Sequence, residues 1–145
     1  MKLVYIAGPY MPTARQKNDR YDCAQDAIDE NIARAVDLAL RVAESGHMPV
    51  CPHSNTGDPR FQSLQTPAFW YAGTLELLRR CDAIALTDDW AESNGACREV
   101  IEAERKLGIW QPDGTIRASW TDWATNMKPL VDAARMALRS RGQEP

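Results

Sequence analysis

Three short apolar runs, each stopped by strand-breaking residues and each followed by a stretch of helical periodicity, constrain this chain more than any other feature. Leu3-Val4-Tyr5-Ile6-Ala7 ends at Gly8-Pro9-Tyr10-Met11-Pro12, and His47-Met48-Pro49-Val50-Cys51-Pro52-His53 gives a short second strand. Cys81-Asp82-Ala83-Ile84-Ala85-Leu86-Thr87 runs into the acidic pair Asp88-Asp89. Between and after them lie helical stripes. Ile28, Ile32, Ala35, Ala39 and Val42 share one face, with Ser45-Gly46 as a helix-ending cap; Pro67 suits a first turn, with Trp70, Thr74, Leu77 and Cys81 along one side; Ala96, Val100, Ala103 and Leu107 form a third stripe. Alternation of this kind predicts βαβ units, hence an α/β protein with a mostly parallel sheet covered by helices on both faces, a three-layer, doubly wound, Rossmann-like arrangement. With 145 residues, 44% of them hydrophobic, the chain is expected to form one domain over 1–145.

The intervening segments carry weaker signals. Thr13 to Asp26 is rich in Arg, Asn, Asp and Gln without helical period and reads as a loop or lid, the helix beginning at Ala27. A second loop, of Ser, Asn, Gly, Asp and Pro, follows His53 and runs to about Thr66. After Gly108, Ile109-Trp110 begins a short fourth strand, Pro112-Asp113-Gly114-Thr115 is a turn, and a last helix carries Leu130, Ala134, Ala137 and Leu138 in register; the residues from Ser140 onward are expected to fray.

A net charge of −3 offers no basic surface for a nucleic-acid backbone, so no polymer partner of that kind is expected. Small anions remain open, because backbone amides and a few cations hold a phosphate whatever the net charge. Cys23, Cys51, Cys81 and Cys97 are widely spaced and contain no C-x-x-C pair, which argues against a zinc site and against a disulfide framework. No segment reaches the length of a membrane span. The expectation is a cytoplasmic protein in a reducing compartment, without membrane attachment, metal or cofactor.

In parallel sheets ligands bind beyond the carboxyl ends of the strands. Gly8-Pro9-Tyr10, Pro52-His53, and Asp88-Asp89-Trp90 running into Ser93-Asn94-Gly95 should therefore meet at one edge. From that turn the third stripe begins, and Glu99 falls about 60° from its centre at about 100° per residue. Glu102 and Glu104 lie farther round, so Glu99 is the glutamate best placed for a desolvated, proton-retaining position; the alternative is an edge glutamate on an ordinary surface helix.

These residues also carry a resemblance. Ala7-Gly8-Pro9-Tyr10, Asn31 with Arg34-Ala35, Gly46-His47-x-Pro49-x-x-Pro52-His53, Cys81-Asp82-Ala83-Ile84, and Ser93-x-Gly95-Ala96-x-x-Glu99 with Ala103 and Gly108 occur in an order similar to the nucleoside 2-deoxyribosyltransferase-like superfamily, over roughly residues 3 to 108. The resemblance implies cleavage of an N-glycosidic bond, with Glu99 as the nucleophile at C1′ of an oxocarbenium-like transition state. It implies no cofactor, and a homodimer or higher homo-oligomer whose sites share residues. In that family a serine six residues before the glutamate accompanies hydrolases of nucleoside 5′-monophosphates, an aspartate the transferases; here the residue is Ser93. The expected reaction is hydrolysis of a (deoxy)nucleoside 5′-monophosphate, with deoxyribosyl transfer and a non-catalytic nucleotide-binding module as alternatives. Where the family carries a second acid, this chain has Thr74, and Glu76 points away, which leaves protonation of the departing base to Asp89, His53, Asp58 or no group at all.

Other candidates have two readings each. Tyr10 stacks on a ligand or covers the core; His53 contacts a ligand or is solvated; Trp90 lies beside the expected site, while Trp70, Trp110, Trp120 and Trp123 are core or interface residues. Arg15-Gln16-Lys17 with Arg20 is a phosphate-facing lid or a solvated loop. His47 is structural.

Overall fold

A computed structural model describes residues 1–18, 21, 23–104, 106–118 and 122–143. Five strands form one sheet: β1 (Leu3–Ala7), β2 (Met48–Val50), β3 (Ala83–Leu86), β4 (Gly108–Trp110) and β5 (Ile116–Arg117). They lie in the order β2-β1-β3-β4-β5, parallel except for the antiparallel β4–β5 pair.

The pleat of β1 divides the core. Val4 and Ile6, with Ala83 and Ala85, pack on Ala35, Leu38, Ala39 and Val42 of α2 (Ala24–Glu44). Tyr5 and Ala7, with Ile84, belong to a second cluster with residues of α5 (Pro67–Arg79), α6 (Asn94–Ala103) and α8 (Lys128–Ser140). Alternate side chains point to opposite faces of a strand, so a five-residue segment supplies both clusters. Where β1 ends, a Cβ built on Gly8 would stand 2.5 Å from Thr87 Oγ1, so only glycine lets the two strand ends come this close.

Several expected boundaries move. The polar segment is not an open loop. Thr13 and Gln16 cap each other, the Thr13 amide donating to Gln16 Oε1 at 3.0 Å and the Gln16 amide to Thr13 Oγ1 at 3.2 Å, and they open α1 (Ala14–Asn18). Gln16 is buried and exchanges hydrogen bonds with buried Asn31, Nε2 to Oδ1 at 2.8 Å and Nδ2 to Oε1 at 3.1 Å. The Arg15-Gln16-Lys17 segment, read as a lid or a solvated loop, is thus anchored by an amide pair that apolar periodicity does not register; Arg20 lies outside the described residues. α2 begins three residues early, since Ala24 and Gln25 form helix well and Asp26 suits the first turn, all without burying an apolar face.

β2 is three residues long because Pro52 opens a short helix, α3 (Pro52–Asn55), which takes His53 out of the strand. The following loop contains α4 (Pro59–Gln62), capped by Asp58. The third stripe is helical only to Ala103, although Leu107 is still buried. Antiparallel β5 and the short α7 (Trp123–Asn126) were not foreshadowed by periodicity. Arg141–Gln143, within the stretch expected to fray, are hydrogen-bonded to the end of α8. Among the described residues no helix is long and apolar enough to cross a membrane.

Candidate functional site

The carboxyl edge of the sheet gathers the loops that follow β1 and β3 together with α3. His53 is buried, and its Nε2 lies 3.2 Å from Gly8 O and 2.9 Å from Pro9 O. Two carbonyls can only accept, so Nε2 carries the proton and Nδ1 is left as an acceptor, buried without a partner among the described residues. Burial holds the imidazole below its usual pKa. His53 is therefore a neutral brace for the Gly8-Pro9 turn, and its solvated reading is overturned. Tyr10 stands beside it with ring centroids 5.9 Å apart and accepts a hydrogen bond from the Gln62 amide. Asn31 Nδ2 donates to the carbonyls of Tyr10 at 3.1 Å and Met11 at 3.2 Å, which pins the same loop from α2.

Asp89 follows β3. Its Oδ2 accepts from Arg34 Nη1 at 2.6 Å, Arg15 Nη2 is 3.7 Å away, and Oδ1 accepts from Thr87 at 2.9 Å. A carboxylate held this way serves as a proton donor only if the Arg34 pair opens. Asp88 is exposed, and Trp90 opens a single 3-10 turn, half-buried against the Tyr5 cluster. Asp58 caps α4 through the Arg60 amide and pairs with the Arg60 guanidinium, which commits it locally.

Ser93 is the N-cap of α6, its Oγ accepting from the Ala96 amide at 3.2 Å. One lone pair is used, while the hydroxyl proton stays available to an acceptor. The first helical amides, at Asn94 and Gly95, have no acceptor within the helix. A Cβ on Gly95 would meet nothing nearer than Ser93 Oγ at 3.7 Å, so no packing demands glycine there, and the missing side chain leaves the helix end open.

Glu99 lies one and a half turns on, buried at 9% exposure. Its Oε1 accepts from the Tyr5 hydroxyl at 2.6 Å. Burial pushes the carboxyl up to about 7, the Tyr5 bond pulling it partly back. The phenol is itself raised by burial and then by the Glu99 charge, so it stays a donor. Thr74 points inward beside Tyr5, its hydroxyl donating to Tyr71 O at 2.9 Å, and Tyr71 lies near enough for Glu99 to raise its pKa along with burial. Glu102 and Glu104 are in surface ion pairs with Arg79 and Arg135, which leaves Glu99 as the desolvated member of the three.

Among the tryptophans, Trp110 is core, with Nε1 donating to Ser45 Oγ at 3.1 Å; Trp70 packs edge-on to Phe61 and Phe69; Trp123 is 39% exposed; Trp120 lies outside the described residues. His47 holds Gly114 O through Nε2 at 3.3 Å. A cavity of about 350 Å³ opens past β3 and β4, lined by Leu86, Asp88, Gln111, Arg117, Asn126 and Leu130 among others, and it includes neither Ser93 nor Glu99. Volume points there and chemistry points to α6; the chemistry is the better guide, because a buried carboxyl costs stability that open space does not.

Sequence reasoning missed Tyr5 as the partner of Glu99, although one hydroxyl in an otherwise apolar strand was a visible signal. It also missed the Arg34–Asp89 pair, which joins residues 55 positions apart and has no local signature. Compared with protein families, characterised proteins and solved structures, the chain shows no match.

Proposed function

We propose that this protein hydrolyses the N-glycosidic bond of a (deoxy)nucleoside 5′-monophosphate, with Glu99 as nucleophile. The observation that carries the reading is the buried Glu99 carboxyl, bonded to the Tyr5 hydroxyl and pushed up to about 7. Desolvation of this kind makes an anion a better match for a developing oxocarbenium ion than for water. The carboxylate attacks C1′, the C1′–N bond breaks with its electron pair leaving on the base, which takes up a proton, and water then cleaves the glycosyl ester to free the sugar phosphate.

The Ser93 hydroxyl, the amides at the start of α6 that lack an acceptor within the helix, and the open space at Gly95 support an anionic group there. Gly8, Pro9, Tyr10, His53, Trp90 and Asn94 would line the remainder. We read the strand order as a doubly wound sheet whose switch point falls between β1 and β3, where such ligands bind. Asp89 would supply the leaving-group proton once substrate displaces Arg34. A reducing cytoplasm, which fits four free thiols, and a homodimer complete the reading.

The test is incubation with a panel of ribo- and deoxyribonucleoside 5′-monophosphates, with free base detected by chromatography. Release by the wild type and none by Glu99→Ala, with binding retained, is expected; equal release by the variant removes Glu99 from the mechanism. A second free base added to the reaction separates transfer from hydrolysis. A binding module without turnover is favoured by one observation, the engagement of Asp89 by Arg34 and Thr87, and predicts measurable affinity with no base released from any substrate.

A further inference from the structure

The residues after α8 build a cap that reaches across to the amino end of α6. Gly142 takes φ +66, its amide donates to Arg139 O at 3.1 Å, and the Gln143 amide donates to Leu138 O at 2.8 Å. This is a Schellman closure, in which a left-handed residue, least strained as glycine, satisfies the last carbonyls of a helix. The cap fixes Arg141. Arg141 Nε donates to Asn94 Oδ1 at 2.7 Å, and Nη2 donates to Ala91 O at 3.0 Å and lies 3.6 Å from Cys97 Sγ. Arg98 of α6 returns the contact, its Nη2 donating to Gln143 O at 3.4 Å and Gln143 Oε1 at 3.3 Å.

We propose that Arg141 is a positioning residue for phosphate recognition, holding the turn from Ala91 to Cys97 so that Ser93 and the first amides of α6 present donors to the substrate's anionic group. The inference rests on the monophosphate reading of the site. Two carbonyl oxygens, Asn94 Oδ1 and Ala91 O, stand beside this helix end and would repel an anion. One guanidinium bonds both and offsets their negative potential. A planar fork spans two acceptors at once, which a lysine ammonium does not reproduce. The brace comes from a residue 47 and 50 positions downstream of its two partners, so it acts on the turn without belonging to it.

Three measurements on Arg141→Gln and Arg141→Lys test this. Amide exchange of Ala96 and Cys97, whose N–H groups bond Ser93 Oγ and Ser93 O, should quicken about tenfold in Arg141→Gln, as expected for the loss of charge-assisted bonds. Exchange in β1 should be unchanged. KM for the monophosphate should rise about tenfold on the same basis with kcat nearly preserved, while affinity for the matching nucleoside without phosphate stays put. Arg141→Lys should restore part of KM and little of the exchange protection. Unchanged exchange overturns the proposal, as does a parallel loss of nucleoside and monophosphate affinity. Should Arg141→Gln fail to fold, Gly142→Ala loosens the cap with the guanidinium intact and should move the same readouts in the same direction. If the wild type neither binds nor cleaves any monophosphate, the functional reading falls and the phosphate role with it, while exchange still decides whether Arg141 holds the turn.

Discussion

At the scale of single residues, Glu99 dominates because its protonation is linked to folding. Its carboxyl titrates at about 7 in the folded protein and near 4.5 when free, so between these values the folded state holds a proton that the unfolded state has lost. The resulting penalty is absent below pH 4.5, grows as pH rises, and is complete above 7, where it is on the order of 3 kcal/mol. Glu99→Gln should therefore gain stability over the wild type as pH is raised from 5 to 8, in urea melts at each pH; a constant difference would mean that Glu99 does not titrate in this window. Tyr5→Phe should move the titration higher still, since the hydroxyl is what pulls it down. His53 runs the other way. Its folded pKa is depressed, so it contributes stability above about 6.5 that is lost as pH falls. The two contributions oppose each other, the Glu99 penalty growing as pH rises from 4.5 and the His53 penalty growing as pH falls from 6.5.

At the scale of elements, the N-cap of α6 joins local structure to the site. Ser93→Ala removes the acceptor for the Ala96 amide and should cost about 1 kcal/mol in denaturant melts, with Ser93→Gly costing only a few tenths. Equal losses would show that the helix start is held elsewhere, for instance by Arg141. The elements legible beforehand were those whose burial is apolar: β1, β3, α2, α6 and α8 each show a face that periodicity can find, whereas α5 was legible as a helix but buries Leu78, off the expected stripe. The illegible ones are held by polar or backbone constraints. α1 hangs on Gln16 and Asn31, α3 on Pro52 and on His53 reaching back to Gly8 and Pro9, and the cap after α8 on Gly142. The site follows the same division. Glu99, Ser93 and Gly95 were readable because one helical stripe orders them, whereas Tyr5, Arg34 and Arg141 join it from elements far apart in the chain, and no window of sequence contains those pairs.

At the scale of the whole molecule, the candidate site draws on Tyr5 in β1, Arg34 in α2, His53 in α3, Thr74 in α5, Glu99 in α6 and Arg141 beyond α8. Both core clusters share the strands β1, β3 and β4, so neither can be lost while the other keeps its packing surface. Parallel pairing of β1 with both β2 and β3 brings together segments more than forty residues apart, contacts that form late and fail together. Unfolding in urea should therefore be one transition, with tryptophan fluorescence, far-UV circular dichroism and exchange of the α8 amides giving one midpoint. An earlier loss of α8 protection would mean that the carboxyl-terminal brace is a separate unit, and Arg141 would then be a poor anchor for α6. On the proposed reading, a nucleoside monophosphate at a hundred times its Kd should shift that single midpoint by the equivalent of about 2.7 kcal/mol in Glu99→Gln, because that reading seats the phosphate at the amino end of α6 and asks no nucleophile for binding; no shift at any concentration would count against it.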